Sequence, residues 1–170
     1  MKRTIIEIDE TAWMTRAVRE LQAILDLPLQ IDTADTATLE AAMRLYNGKP
    51  LVNSVSGKQA SMDAVFPLVR RYGGVVVALT LDEDGIPPTA EGRLAVARKI
   101  VETAASYGID KKDILVDVLT MAVSADPNAA NVTLDALRLV REELGVHTVL
   151  GVSNVSFGLP RRETVNASFY

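Results

Sequence analysis

Short apolar runs alternate with amphipathic stretches of helical period along this chain, and no other feature restricts its fold as much. The runs are Leu29 and Ile31 after Pro28, Leu51-Val52, the continuous stretch 75–79, Ile114-Leu115-Val116, and 147–150. Each is too short and too rich in Val, Ile and Leu to be a buried helix, so each reads as a strand. The stretches between them repeat apolar residues every three to four positions. Asp9 is placed to cap the first helix, which runs to about Leu25 with Trp13, Ala17, Val18, Leu21, Ile24 and Leu25 facing inward. Residues 34–46 present Leu39, Ala42, Met43 and Tyr46. Residues 58–71 present Met62, Val65, Phe66 and Val69. Thr89 caps a helix to about Tyr107 with Leu94, Ala97, Ile100, Val101 and Ala104 inward, and Gly108 ends it. Residues 133–144 form another helix, stopped by Gly145, and Arg162 can begin a last one. Residues 1–7 read either as a short strand at Thr4-Ile5-Ile6 or as a ragged end. Strict alternation of strand and helix predicts an α/β protein with five parallel strands, joined by right-handed crossovers and covered by helices on both faces.

The 170 residues read as one domain, with no linker or low-complexity segment to divide them, and are enough to bury a sizeable core. The net charge of −4 offers no basic field to nucleic acid or acidic lipid, and 5% aromatic content argues against base stacking. With no cysteine, disulfides, thiolate metal sites and a cysteine nucleophile are excluded, and one histidine, His147, cannot build a zinc site. No apolar run reaches membrane-spanning length and no signal-peptide pattern opens the chain, so a cytoplasmic protein is expected. The Asn-X-Ser/Thr triplets at Asn131, Asn154 and Asn166 then read as chance matches. Ser56-Gly57-Lys58 resembles the end of a phosphate loop, but Val52 stands where that loop needs its first glycine. The acidic run Asp82-Glu83-Asp84 reads as a solvated loop, and Arg161-Arg162 is too short for a nucleic-acid patch.

The chemistry is concentrated where strands stop. Four of the five predicted strands run into polar residues: Asp32, Asn53, Asp117 and the pair Ser153-Asn154. In a parallel sheet all carboxyl ends lie at one edge, so these side chains converge on one mouth, where such folds place their sites. Two carboxylates and two amides suit a flat heterocycle that carries ring N–H and carbonyl groups. Singly, each has a plainer reading: Asp32 as a cap of the next helix, Asp117 and Asn154 as turn formers. Arg162, close by, can hold a carboxylate or an aromatic ring face.

At these residues the chain resembles the pterin-binding enzymes that move a methyl group from methyltetrahydrofolate to a corrinoid: the folate domain of cobalamin-dependent methionine synthase and the methyltetrahydrofolate:corrinoid methyltransferases. The matching stretches are Pro28-Leu29-Gln30-Ile31-Asp32-Thr33, Leu51-Val52-Asn53-Ser54, Gly85-Ile86-Pro87, Ile114-Leu115-Val116-Asp117, and above all Ser153-Asn154-Val155-Ser156-Phe157-Gly158-Leu159-Pro160-Arg161-Arg162. The resemblance runs from about Ile8 to Tyr170. It implies a TIM-barrel-type (β/α)8 fold over residues 1–170 as a pterin-binding domain, and a part in one-carbon and methionine metabolism. It implies that Asp32, Asn53 and Asp117 hydrogen-bond the pterin, that Ser153 and Arg162 also belong to the pterin-binding set, and that Asn154 lies against N5, the nitrogen carrying the methyl. It implies methyltetrahydrofolate as substrate and cobalamin carried by a partner protein or domain, with no metal held by this chain. A dihydropteroate synthase-like pterin enzyme and a non-catalytic pterin-binding module remain as alternatives. Against the family's eight strands, the chain is expected to lack the first two and the last, and so to self-associate or to pair with a partner that supplies strands.

Overall fold

The computed structural model describes residues 9–169. In order they form α1 (Glu10–Gln22), β1 (Gln30–Asp32), α2 (Thr36–Leu45), β2 (Leu51–Ser56), α3 (Gln59–Tyr72), β3 (Val75–Leu79), α4 (Ala90–Ser106), β4 (Ile114–Asp117), α5 (Ala129–Leu144), β5 (His147–Val149) and α6 (Arg162–Phe169). The suggested strand at Thr4-Ile5-Ile6 lies outside the described residues. Capping chemistry sets several boundaries. Asp9 accepts the Ala12 N–H at 2.9 Å and Thr89 accepts the Gly92 N–H at 3.1 Å, each satisfying a donor the first helical turn leaves free. Gly145 closes α5 with φ 61°, a conformation that only glycine adopts without cost. α5 starts four residues earlier than the periodicity indicates, because Ala129 is buried.

The strands form one parallel sheet in the order β1-β2-β3-β4-β5. Sequential order has a consequence that alternation alone does not show. When every right-handed crossover steps in the same direction, every helix lands on the same face. The two faces are accordingly unlike, and the expected coverage of both is corrected. Ile31, Val52, Val76, Ala78, Ile114 and Val116 face the helices and are buried. The alternate positions Gln30, Asp32, Asn53, Leu115, Asp117, His147 and Val149 form the other face and are half-buried or exposed. This is one arc of a TIM-barrel-type fold, whose inner face carries the polar residues.

The core lies between sheet and helices. Met62 and Phe66 from α3 and Ala97, Ile100 and Ala104 from α4 are fully buried there. Each large side chain removed from water contributes about 1.5–3 kcal/mol, which offsets the ordering of the chain around it. α1 departs from the reading. It stops at Gln22, and only Val18 of its apolar set is buried. Trp13 is 61% exposed and Ile24 75%, with Leu21 and Leu25 also in solvent. α1 packs on α2 beside β1, the outermost strand among the described residues, so its apolar stripe extends past the surface available to cover it.

Candidate functional site

β1 ends on Asp32, which lies in register with Asn53 of β2. Ile31 and Val52 point to the helices, so pleat alternation turns Asp32 and Asn53 onto the inner face. There the Asn53 Nδ2 donates to Asp32 Oδ2 at 3.0 Å. Asn53 does not end its strand, as the sequence suggested. β2 continues to Ser56 across a register shift between Asn53 and Val55, and the Asn53–Ser54 peptide is cis. The plainer reading of Asp32 also fails. Asp35 caps α2, accepting the Thr38 N–H at 3.0 Å and the Thr38 hydroxyl at 2.6 Å. These bonds hold the Asp35 carboxyl below its ordinary range, the hydroxyl first and the backbone N–H second. A cleft of about 510 Å³ at the carboxyl ends of β1 and β2 reaches Asp32 and Asn53, and its other walls include Leu39 of α2 and Val65 of α3.

Asp117 ends β4 on the same face, in register with Leu79 of β3 and Val149 of β5. One carboxylate oxygen, Oδ1, accepts the Leu119 N–H at 2.8 Å, so part of the turn-former reading holds. Oδ2 has no hydrogen-bond partner among the described residues. Burial pushes the Asp117 carboxyl above its ordinary range, and the Leu119 N–H only partly opposes this. A carboxylate desolvated in this way, with one oxygen unused, accepts strongly from a ligand N–H. Two hydroxyls at the same end of the sheet, Thr80 after β3 and Thr120 after β4, are buried without a partner among the described residues.

Ser153 and Asn154 lie beyond the last strand, in a 3-10 turn at Val152–Asn154, whereas β5 stops at Val149. The Asn154 N–H donates to the Gly151 carbonyl at 3.1 Å and its carbonyl accepts from Phe157 at 3.1 Å, while its side-chain amide is exposed and has no partner among the described residues. Arg162, at the start of α6, cinches this loop. Its Nε donates to Ser156 Oγ at 3.1 Å and its Nη2 to the Ser153 carbonyl at 2.9 Å. Ser156 is fully buried and donates to the Ser153 carbonyl at 3.2 Å. The loop is also tied to the one after β4, which Asp117 leads into: Val123 N–H meets the Val155 carbonyl at 3.1 Å and Ser124 Oγ meets the Phe157 carbonyl at 2.7 Å. Asp32 and Asn53 thus form a contacting pair. Asp117 shares their face, and Asn154, Ser153 and Arg162 share a loop braced against the one after Asp117.

Two polar residues essential to this scaffold escaped the sequence reading. Ser156 sits inside a motif singled out for other members. Arg93, on α4, is only 2% exposed. Its signal was faint: a cation adjoining the inward-facing Leu94, on a helix otherwise read as amphipathic. Among the described residues no cluster of three or more His, Cys, Asp or Glu could hold a metal ion, and no helix is long and apolar enough to cross a membrane.

A sequentially ordered parallel sheet, with its helices on one face and polar side chains toward the strands' carboxyl ends, defines a TIM-barrel-type fold. The chain belongs to the pterin binding enzyme family, which matches residues 2–169. It is 31% identical over 174 residues to a methionine synthase of Mycobacterium tuberculosis, covering 95% of this chain and 15% of that protein. It is 32% identical over 162 residues to a methionine synthase of Mycobacterium leprae, covering 88% of this chain and 13% of that protein. It is 32% identical over 169 residues to a methylcorrinoid:tetrahydrofolate methyltransferase of Eubacterium limosum, covering 96% of this chain and 60% of that protein. The chain therefore spans a small part of the methionine synthases and about three fifths of the methyltransferase.

Proposed function

We propose that this protein takes part in methyl transfer between 5-methyltetrahydrofolate and a corrinoid carried by a partner protein or domain. The observation that carries the reading is Asp117, half-buried and with one oxygen unused, on the same sheet face as the hydrogen-bonded Asp32–Asn53 pair. The printed name of the Eubacterium limosum relative pairs a methylcorrinoid with tetrahydrofolate, which supports these two methyl carriers. In this reading the pterin's ring N–H groups go to the carboxylates of Asp32 and Asp117, and Asn53 offers an amide donor and acceptor to the ring edge.

A methyl on a tertiary amine leaves poorly unless the nitrogen gains a proton or a strong hydrogen bond. Asn154 meets this need, because a free amide side chain both donates and accepts and can follow the change at N5. Ser153 and Arg162 act on the loop, holding Asn154 in position. The corrinoid supplies a nucleophilic cobalt centre when its carrier docks at the open side of the mouth. The test is a substrate panel on the full-length protein, comparing 5-methyltetrahydrofolate with a hydroxymethyl pterin pyrophosphate. Binding and demethylation of the former support the reading. Turnover of the latter alone would replace it with a dihydropteroate synthase-like activity, and binding without turnover of either would leave a pterin-binding module.

A further inference from the structure

Arg93 is a buried cation without a carboxylate partner among the described residues. Its Nε donates to the Pro87 carbonyl at 3.1 Å. Its Nη1 is shared among the Val118 carbonyl at 3.0 Å, the Leu119 carbonyl at 2.7 Å and Thr133 Oγ1 at 3.4 Å. The guanidinium therefore joins the loop after β3, the loop after β4 and the start of α5. A buried charge must be compensated, and four acceptors from three segments compensate this one only while those segments stay in place. The residue held most tightly is Leu119, which has φ 63°. A leucine avoids that region unless its surroundings impose it. Leu119 is also the residue whose N–H occupies Asp117 Oδ1.

We propose that Arg93 is a positioning residue: by holding the Val118 and Leu119 carbonyls, its guanidinium fixes the Val118–Leu119 peptide so that the Leu119 N–H engages one oxygen of Asp117 and the other is left for the ligand. Lysine cannot reproduce the clamp, since a single ammonium lacks the planar fork that reaches Pro87 and Leu119 together. The inference rests on the reading of Asp117 as a pterin ligand, but its first test does not.

The first test is a carboxyl-carbon NMR titration of Asp117 in the ligand-free protein. In Arg93→Lys the Leu119 N–H is no longer held against Oδ1, so the Asp117 midpoint should rise by about 0.5–1 pH unit, the effect of weakening one hydrogen bond to the ionised form. Leu119→Gly added to Arg93→Lys should bring the midpoint back toward that of the wild type, because glycine adopts the left-handed conformation unaided. If Arg93→Lys does not fold, Thr133→Val removes a lesser part of the same clamp and should move the midpoint in the same direction. The second test is pterin affinity. Arg93→Lys should weaken it by about 3–10-fold, and should cost nothing further in an Asp117→Asn background. An unmoved Asp117 midpoint in the folded variant, or a loss that adds in full to that of Asp117→Asn, would overturn the proposal. A wild-type protein that binds no pterin while the midpoint shifts as expected would instead refute the functional reading and leave the clamp standing.

Discussion

Replacing Asp117 with Asn should weaken pterin binding and at the same time stabilise the protein at neutral pH. The carboxylate is half-buried, and desolvation holds its pKa above the ordinary value against a single opposing donor, the Leu119 N–H. A carboxylate accepting a ligand N–H in such a place contributes about 1.5–3 kcal/mol, so Asp117→Asn should lower affinity by roughly 10–150-fold. The ionised form is the one that binds an N–H donor. Wild-type affinity should therefore fall as pH drops through the raised Asp117 pKa, approaching tenfold per unit below it, while that of Asp117→Asn loses this part of the pH dependence. The effect on stability has the opposite sense. An acid whose folded pKa is raised favours folding while it is protonated, below its unfolded value near ~3.9, and loses that contribution as pH rises through the folded value. At pH 7 the wild type thus carries the full cost of a desolvated charge, which Asn removes while its Oδ1 still accepts the Leu119 N–H. Calorimetric titration from pH 4 to 7.5 measures the first effect, and thermal melts of the ligand-free proteins over the same range measure the second. Unchanged affinity with an unchanged pH profile would refute the binding role, and a less stable Asp117→Asn at pH 7 would refute the desolvation argument.

Asn154→Ala should slow methyl transfer by ~10²–10³, the usual loss of one donor at a developing charge, with a smaller change in pterin affinity. Single-turnover kinetics beside pterin titration separates the two, and lost binding with an intact rate for bound substrate would remove Asn154 from the chemistry. Ile100→Ala, at a fully buried position between α4 and the sheet, should cost about 2–5 kcal/mol in chemical denaturation. A cost well under 1 kcal/mol would mean that the site collapses around the gap. The sheet pairs β1 and β5 on one side only among the described residues, and α1 exposes Trp13 and Leu21, with Ile24 exposed just after it. Such an edge and stripe favour association, so sedimentation should show self-association or pairing with a strand-supplying partner, and a clean monomer over a wide concentration range would contradict this.

Much of the architecture was written locally. The strand at Val75–Leu79 and the caps at Asp9 and Thr89 depend on side chains within a few residues of the backbone they shape, so period and capping chemistry reveal them. The placement of Asp32 and Asp117 at the carboxyl ends of their strands was legible too. Each closes a short apolar run, and the pleat turns each away from the buried neighbour before it. Asn53 was half legible: its type marked it as a candidate site residue, but the register shift that lets β2 run on to Ser56 is a property of the pairing with β3.

Other features belong to the assembled molecule. Helical spacing in α1 shows that apolar residues share a side, but only the neighbouring layer determines that Val18 is covered and Trp13 is not. Alternation of strand and helix is equally compatible with a sheet covered on both faces. The order β1 to β5, with every crossover turning the same way, is what leaves one face open for a site. Arg93 is the sharpest case. By local pattern it is a charged residue on an amphipathic helix, and it is buried because the carbonyls of Pro87, Val118 and Leu119 converge on it. A sequence determines which groups need partners, by their polarity and period. Partners distant along the chain are selected by tertiary packing, because only the folded chain brings their atoms within hydrogen-bonding range.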